Sequence, residues 1–404
     1  MQSRRHEGER TPRLAGGLTR SGKTRTELAR SCVKATASTS GLNRIHRQSA
    51  RLLVSTRVFA VSLVIAILAT AGATSAFFLT VYTPSSGKQV VGVTRYVGGL
   101  TTDEAPAYVP QAEGYYLQNG IDVTPVILSG TSAAVQAVGA DKTGYAFALG
   151  DLLDLTVDAA QNPNTFNLIQ VASTGRVNPV GVLFLTSSGI HGPKDLIGKT
   201  IGSPFGSLSF RMFSAFLTLE GISPSQLTIQ NIGFSALQDA LLGKKVDAIV
   251  QFASASGSLQ INAAKLGETV NFFKLSDFGM PPIGSGIVVQ KALVQNHPDV
   301  VKAIVNATLN GYYLCIKNPQ QCAQDFVNIN ASFDYNGTFS DWQSSLIFEV
   351  GYNATTIGNL TPLKFGWMNA TTVQGIVKAS TQIFNLTATV DPTTLYTDQF
   401  VQQP

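Results

Sequence analysis

Histidine and cysteine are scarce in this 404-residue chain, which contains four His and three Cys. Beyond residue 57 only His191 and His297 remain, and each lies beside residues typical of a turn. A lone His in a turn is usually solvated. The sequence also shows no H-E-x-x-H pattern, no paired Cys/His cluster and no Asp-rich calcium loop. We therefore expect no cofactor and no metal-dependent catalysis.

Basic residues are scarce in most of the chain, although the formal net charge is +5. Residues 1–57 hold 13 Lys and Arg against 3 Asp and Glu, whereas the remaining residues hold 16 against 21. Nucleic-acid binding needs a basic patch or stripe, so we expect no nucleic-acid partner. Because residues 1–57 are rich in Arg, Ser and Thr and poor in aromatic residues, they are predicted to form a disordered leader.

No charged residue occurs between residues 58 and 82, and this apolar run is long enough to cross a bilayer. The arginines before it predict that the N-terminus stays inside and that the rest of the chain is exported. Two interpretations remain open. Small residues at 71–76 resemble a signal-peptide cleavage site, whereas the apolar residues at 77–79 lengthen the span into an uncleaved membrane anchor. Either way, we expect an extracytoplasmic protein, anchored in the cell membrane or secreted.

Two cysteines, Cys315 and Cys322, fall in the exported part, where a disulfide can persist. In one continuous helix they would be roughly 10 Å apart, too far to bridge. Pro319 is predicted to interrupt the helix between them, which would bring the two thiols within reach. A disulfide and a pair of buried thiols therefore both remain open.

Glycosylation sequons are concentrated in the last hundred residues, which indicates an exposed and glycosylated face. The seven sequons are at Asn306, Asn330, Asn336, Asn353, Asn359, Asn369 and Asn385.

From residue 88 onward, strand patterns and helix patterns alternate, as is typical of α/β units around a largely parallel sheet. Two such series occur, and after residue 290 the chain is mainly helical. The simplest architecture is two α/β lobes joined by extended crossings near 178–184 and 281–287. The predicted division is a leader (1–57), an anchor or signal peptide (58–82), a linker (83–87), lobe 1 (88–186), lobe 2 (187–280), and a return to lobe 1 with C-terminal helices (281–404).

The stretch IGSPFGS, residues 201–207, joins a strand pattern to a helix pattern. It lacks the Gly-Lys-Ser/Thr of a P-loop, and Ser203 stands one position early for the G-x-S-x-G nucleophile elbow. A helix N-terminus with free N–H groups and serine hydroxyls would hold a polar or anionic group. The alternative is an ordinary turn in which Ser207 caps the helix. Small polar loops also follow other strands, and such loops converge at the strand ends of open α/β sheets.

Four stretches are more informative in their order and spacing than any one motif. They are APAYVPQAEGYYLQNGIDVTPVILSGTSAAVQAVGADKTGYAFALGD (105–151), GPKDLIGKTIGSPFGS (192–207), ALQDALLGKKVDAIVQ (236–251) and GSGIVVQKALVQNHPDVVKAIVNATLNGYYLCIKNP (284–319). Together they resemble extracytoplasmic solute-binding proteins of ABC importers for sulfonates, nitrate, taurine or thiamine-pyrimidine precursors. The resemblance implies a two-lobed α/β fold of the type II periplasmic-binding-protein class with a hinge cleft, preceded here by one N-terminal transmembrane or signal helix.

The resemblance also implies a function: lobe closure on a small polar solute, followed by delivery to ABC permease and ATPase subunits. We expect a monomer and no enzymatic activity. A synthase relative of the family carries a Cys-rich iron-binding stretch and an active-site His, and this chain lacks that Cys cluster. A synthase-like enzyme and a ligand-sensing cell-surface domain are the alternatives. By position, the ligand contacts would be Tyr96, Ser129, Gly130, Thr131, Gly150, Asp151, Ser203, Gly206, Ser207 and Phe252.

Two charged residues at strand ends indicate opposite ligand classes. Arg95 would bind a sulfonate or nitrate through paired hydrogen bonds, or it is a surface residue. Asp151 would suit a cationic or amine-bearing ligand, or it caps the next helix. The sequence therefore does not choose between an anionic and a cationic ligand.

Overall fold

The computed structural model describes residues 90–404. The predicted leader and the apolar segment 58–82 lie outside the described residues. Within residues 90–404, no helix is both long enough and apolar enough to cross a membrane.

The strands fall into two separate sheets of five. In chain order they are β1 (Val91–Val97), β2 (Ile121–Ile127), β3 (Ala146–Asp151), β4 (Leu168–Ser173), β5 (Val180–Leu185), β6 (Thr200–Ser203), β7 (Thr228–Asn231), β8 (Ala248–Phe252), β9 (Val270–Lys274) and β10 (Ser285–Gln290). The first sheet has the order β2-β1-β3-β10-β4 and the second β7-β6-β8-β5-β9. Each sheet is parallel except for one strand, β10 or β5, which runs antiparallel to both of its neighbours.

Helices follow most strands, as the alternating pattern predicts. They are α1 (Ala105–Ala112), α2 (Tyr115–Gln118), α3 (Thr131–Ala140), α4 (Leu152–Gln161), α5 (Leu208–Leu219), α6 (Phe234–Leu242), α7 (Ser256–Ala264), α8 (Lys291–Asn296), α9 (Pro298–Lys317), α10 (Pro319–Ile329), α11 (Tyr335–Ser345), α12 (Pro362–Phe365) and α13 (Ala370–Ile383). The predicted two-lobed α/β fold is confirmed. Each lobe buries its own apolar residues between its sheet and its helices.

One boundary differs from the sequence-based division. Residues 180–186 are predicted to end lobe 1, but β5 pairs with β8 and β9 and so lies in the second sheet. An apolar run of six residues fits the interior of either sheet, and only its long-range partners decide which sheet it joins. The sequence pattern also does not predict β9, the edge strand beside β5.

Two extended segments, residues 174–179 and 279–284, cross between the sheets. Asn178 joins them: its Nδ2 donates to the carbonyl of Pro281 at 2.7 Å, and its Oδ1 accepts from the backbone N–H of Val180 at 3.0 Å. The crossings therefore lie side by side. Paired crossings of this kind form a hinge, because a few backbone dihedrals can absorb the relative motion of two lobes.

The C-terminal helices complete the first lobe. Helix α9 ends at Lys317 and α10 begins at Pro319, so the chain turns between the two cysteines. Cys315 and Cys322 form a disulfide across this corner, with their Cα atoms 4.8 Å apart. Trp342 of α11 packs in the same core and donates its indole N–H to the carbonyl of Cys315 at 2.8 Å. Leu346, Val350 and Phe365 lie in the same core, so much of the tail after residue 328 packs in the first lobe, whereas Ile383 and Phe384 pack against the core of the second.

Candidate functional site: the cleft between the lobes

The loops before α3 and α5 meet across the cleft between the two sheets. A Cβ atom added to Gly130 would lie 2.6 Å from the Cα of Ser207 and 2.7 Å from the carbonyl oxygen of Gly206. The side chain of Ser129 lies beside Gly206. The lobes therefore touch here, in a closed arrangement, and four residues predicted from the sequence to form the site are brought together.

The IGSPFGS loop uses its serine locally. Ser207 caps α5: its Oγ accepts from the N–H of Phe210 at 3.1 Å and donates to the carbonyl of Pro204 at 2.6 Å. Gly206 has φ of +79°, a left-handed conformation that glycine adopts without strain. The Ser207 hydroxyl therefore donates its hydrogen bond within the turn, as in an ordinary capped turn. This turn lies at the edge of the cleft.

Two adjoining interior cavities of about 30 Å³ each lie beneath this contact. The first is lined by predicted residues Thr131, Gly150, Asp151 and Phe252, together with Tyr312 and three further acidic residues. The second adds Ser207, Ser209 and Gln251 from the second lobe. The Oγ of Ser209 and the Nε2 of Gln251 are buried without a hydrogen-bond partner. Polar atoms from both lobes are therefore enclosed at the centre of the cleft.

Two predicted contacts lie elsewhere. Tyr96 packs beside α3, and its hydroxyl donates to Asp141 Oδ1 at 3.2 Å, so it does not line the interior cavities. Ser203 is fully buried at the end of β6, and it too lies outside their lining. Side chains alternate between the faces of a strand. A strand-end residue predicted by position can therefore face the helices instead of the cleft.

Arg95 fits neither sequence-based alternative. It is 2 % exposed, forms an ion pair with Glu104, and places its guanidinium 4.7 Å from the centre of the Tyr108 ring. It is therefore not a surface residue, and its ion pair with Glu104 lies inside the first lobe. Burial raises the pKa of Glu104 to about 7; Arg95 opposes this shift and Asp103 adds to it.

Asp151 has two roles. Its Oδ1 accepts from the N–H of Asp154 at 2.7 Å and so caps α4, as one alternative predicts. Its Oδ2 is buried without a hydrogen-bond partner, and the residue lines the first cavity. Burial and the neighbouring charge of Asp154 raise the pKa of Asp151 well above its usual value.

Glu349 is a cleft residue that the sequence reasoning does not identify. It lies in a π-helical turn, Leu346–Val350. The carbonyl of Glu349 accepts hydrogen bonds from the backbone N–H of Arg176 at 2.9 Å and of Val177 at 3.0 Å, and these bonds join the turn to the crossing 174–179. Its Oε2 is buried without a partner. π-helical turns often occur at functional sites. The only signal in the sequence is a single acid within the apolar run LIFEV.

Two polar contacts link the lobes at the margins of the cleft. Arg211 of α5 lies 2.8 Å from Asp154 and 3.5 Å from Asp158, both on α4. On the other side, Asp341 accepts from the N–H of Ser258 at 2.6 Å and from the hydroxyl of Thr102 at 2.8 Å. The Arg211 contacts and the Asp341–Ser258 hydrogen bond therefore join the two lobes in this structure.

A larger groove of about 550 Å³ lies near α3, α5 and the end of α13. It is open to solvent, and Arg211 at its edge is already paired with Asp154. We place the candidate site at the interior cavities instead, because polar atoms without partners are enclosed there. Among residues 90–404, no group of three or more His, Cys, Asp or Glu is arranged to hold a metal ion.

Two five-stranded mixed sheets, linked by paired crossings around a polar cleft, define the two-lobed periplasmic-binding-protein class. Solved structures of this class have the same fold. The periplasmic nitrate-binding protein NrtA from Synechocystis PCC 6803 matches with a TM-score of 0.58 at 11% identity, over 78% of this chain and 88% of its own. The alkanesulfonate-binding protein SsuA from Xanthomonas axonopodis pv. citri, bound to MOPS, matches with a TM-score of 0.56 at 11% identity, over 77% and 99%.

Residues 101–322, more than half of the chain, match the family described as NMT1/THI5 like, and the chain belongs to this family. The riboflavin-binding protein RibY of Chloroflexus aurantiacus is 28% identical over 220 residues, which are 54% of this chain and 60% of RibY. The formylaminopyrimidine-binding protein of Halalkalibacterium halodurans is 24% identical over 222 residues, 53% and 63% of the two chains. A 4-amino-5-hydroxymethyl-2-methylpyrimidine phosphate synthase of Legionella pneumophila is 25% identical over 236 residues, 54% and 66%. The chain thus spans about 60% of the length of the first two relatives.

Proposed function

We propose that this chain is the extracytoplasmic substrate-binding protein of an ABC importer. It would capture a small polar solute by lobe closure and deliver it to permease and ATPase subunits. The observation that carries the proposal is the enclosed cleft. Asp151 and Glu349 from the first lobe, and Ser209 and Gln251 from the second, present buried polar atoms without partners. Such groups are costly to bury, so a solute that pairs with them would favour closure.

The hinge and the marginal contacts support the same function. A binding protein must open to admit its solute and close to retain it. The crossings joined by Asn178 supply a hinge, while the Arg211–Asp154 ion pair and the Asp341–Ser258 hydrogen bond stabilise the closed arrangement. The names of two relatives, which bind riboflavin and formylaminopyrimidine, agree with solute binding.

The test uses the full-length chain. We expect its melting temperature to rise with at least one solute from a panel of taurine, ethanesulfonate, nitrate, riboflavin, formylaminopyrimidine and small amines. That solute should also decrease the radius of gyration measured by small-angle X-ray scattering, and the loaded protein should stimulate ATP hydrolysis by its reconstituted permease complex. Failure of every solute to stabilise the protein or to change its scattering would contradict the proposal.

A synthase-like enzyme is the second candidate, and the Legionella relative favours it. The lining of the interior cavities, however, includes no His or Cys. His191 and His297 are both exposed, and the Nε2 of His297 lies 3.0 Å from the hydroxyl of Tyr145. Iron analysis of the purified protein, combined with a turnover assay for the pyrimidine product, separates the two functions. Bound iron together with product would displace the transport proposal.

Export and glycosylation belong to the same proposal. A membrane-anchored or secreted protein would present its sequons outside the cell, and five of their asparagines are exposed: Asn336, Asn353, Asn359, Asn369 and Asn385. Asn306 and Asn330 are half-buried, so we expect them to be modified less. Intact mass of the native protein before and after deglycosylation tests this. A ligand-sensing surface domain would share these features but would not stimulate a permease.

A further inference from the structure

Four acidic residues line the first interior cavity: Asp103, Glu104, Asp151 and Glu349. No residue that lines either interior cavity is Lys, Arg or His. Two nearby basic side chains form ion pairs with other carboxylates, since Arg95 pairs with Glu104 and Arg211 pairs with Asp154. Within the part of the chain that the structure describes, Asp151 and Glu349 form no ion pair. The cavity is therefore acidic.

Two of these acidic residues, Asp151 and Glu349, are held in place by the surrounding structure, yet each has a carboxyl oxygen without a hydrogen-bond partner. Asp151 is 1 % exposed and Glu349 is 8 % exposed. One oxygen of each, Oδ2 and Oε2, has no hydrogen-bond partner. The helix cap made by Asp151 and the backbone contacts of Glu349 to the crossing hold both residues where they are. An unpaired carboxylate is expensive to bury, and a cationic partner offsets this cost.

The pKa shifts agree with this geometry. Burial raises the pKa of Glu349 well above its usual value, and the charges of Asp103 and Glu104 raise it further. Burial and the charge of Asp154 do the same for Asp151. A positive charge placed in the cavity would lower these pKa values, because it stabilises the ionised carboxylates. A negative charge in the cavity would raise the pKa values of both carboxyl groups further. It would also find no basic residue in the lining of either cavity.

Building on the proposed function, we propose that the solute is a small organic cation whose protonated amine or quaternary nitrogen pairs with the carboxylates of Asp151 and Glu349. The aromatic side chains of Tyr312 and Phe252 line the same cavity. Aromatic rings commonly contribute to the binding of ammonium groups. A sulfonate or nitrate would meet no basic lining residue. In this closed arrangement each cavity of about 30 Å³ has room for about one water molecule, so the lobes would stand further apart around a bound solute.

The first test compares ligands that differ in charge but share a hydroxyethyl skeleton, using calorimetry on the full-length chain. Ethanolamine and choline carry a cation, dimethylbutanol is the neutral isostere of choline, and isethionate carries a sulfonate. Putrescine and guanidinium extend the set of cations. We expect at least one cation to bind about tenfold or more tightly than dimethylbutanol, and isethionate and nitrate not to bind. Equal binding of dimethylbutanol, binding of isethionate, or no binding by any of these cations would overturn the inference.

The second test uses matched variants. Glu349→Gln and Asp151→Asn remove the charge while keeping the shape, and Asn at position 151 can still cap α4. Asp325→Asn is the control, because Asp325 is also buried with its pKa raised to about 6 by burial, yet it contacts Gln321 away from the cleft. We expect each cleft variant to bind the cation about tenfold more weakly, and the control to bind it normally. Normal affinity in both cleft variants would overturn the inference.

The two proposals fail in different ways. Closure and ATPase stimulation with an anionic or neutral solute would sustain the transport function and overturn the cationic ligand. Tight binding of a cation that causes neither closure nor stimulation would sustain the cationic ligand and contradict the transport function.

Discussion

Arg211 and Asp154 link the two lobes, because a guanidinium nitrogen on α5 lies 2.8 Å from a carboxylate oxygen on α4. Neither atom makes a well-aligned hydrogen bond, so the contact is mainly an ion pair. The second oxygen of Asp154 accepts from the hydroxyl of Ser132, and the residue is fully buried. Burial raises the pKa of Asp154, and Arg211 opposes that shift. The ion pair therefore offsets part of the cost of burying this carboxylate in the closed cleft.

We expect Arg211→Ala to lower stability by about 2–4 kcal/mol near neutral pH, because it leaves Asp154 buried without its cation. The pKa of Asp154 should then rise further, because its charge has lost its partner. At lower pH Asp154 becomes protonated and neutral, so the loss of stability caused by the substitution should shrink as the pH falls. Chemical denaturation at several pH values measures this. The double variant Arg211→Ala/Asp154→Asn serves as the control and should recover part of the loss; an equal loss at every pH would contradict the explanation.

Gly130→Ala should hinder closure without disturbing either lobe. Its Cβ would lie 2.6 Å from the Cα of Ser207, a distance at which the loops must separate. We expect a larger radius of gyration in scattering and weaker solute binding, because the closed state becomes less populated. Gly233→Ala is the matched control: Gly233 also caps a helix, and its added Cβ meets nothing within 4 Å. Equal scattering and affinity in both variants would rule out the proposed contact.

Asn178→Ala should weaken the hinge. The substitution removes two buried hydrogen bonds, one to Pro281 and one from Val180, and leaves a carbonyl and an N–H without partners. We expect a loss of about 1–3 kcal/mol in urea unfolding. Asn310→Ala, on the exposed surface of α9, removes only a local bond to Asn306 and should change stability little. Similar stability of the two variants would show that Asn178 does not hold the crossings together.

Stability should decrease as the pH rises from mildly acidic to mildly basic values. Burial raises the pKa of Glu104 to about 7 and those of Asp158 and Asp341 to about 6. In the unfolded chain the carboxyl groups of Asp and Glu have pKa values of about 4. Each group's contribution is therefore fully present below that value and is lost as the pH rises through its folded pKa.

Melting temperatures between about pH 5 and pH 8 measure this dependence. We expect Asp341→Asn to flatten the profile near about pH 6, because the variant no longer titrates there. Asp299→Asn, at an exposed position, should leave the profile unchanged. A melting temperature that rises steadily with pH would contradict the expectation.

The sequence predicted the elements and the general position of the site because both depend on local patterns. Alternating strands and helices indicate α/β lobes, and polar loops after strands must lie at the carboxyl edge of a sheet. In the structure Thr131, Asp151 and Phe252, three of the residues predicted in this way, line the first interior cavity. Tyr96 does not line either interior cavity, since a strand pattern shows that side chains alternate but not which face meets the other lobe.

Glu349 and Arg95 show what local patterns leave out. Glu349 is almost two hundred residues from Asp151 in the chain, yet both line one cavity. The residues that flank Arg95 in the sequence do not show whether its side chain is exposed, binds an anion or pairs with Glu104. The sequence alone determined the two-lobed α/β fold and the loops that could border a cleft, because these follow from the spacing of residues. Only the tertiary structure decided the charge inside the cleft, because that charge depends on which distant side chains are buried together and which of them find partners.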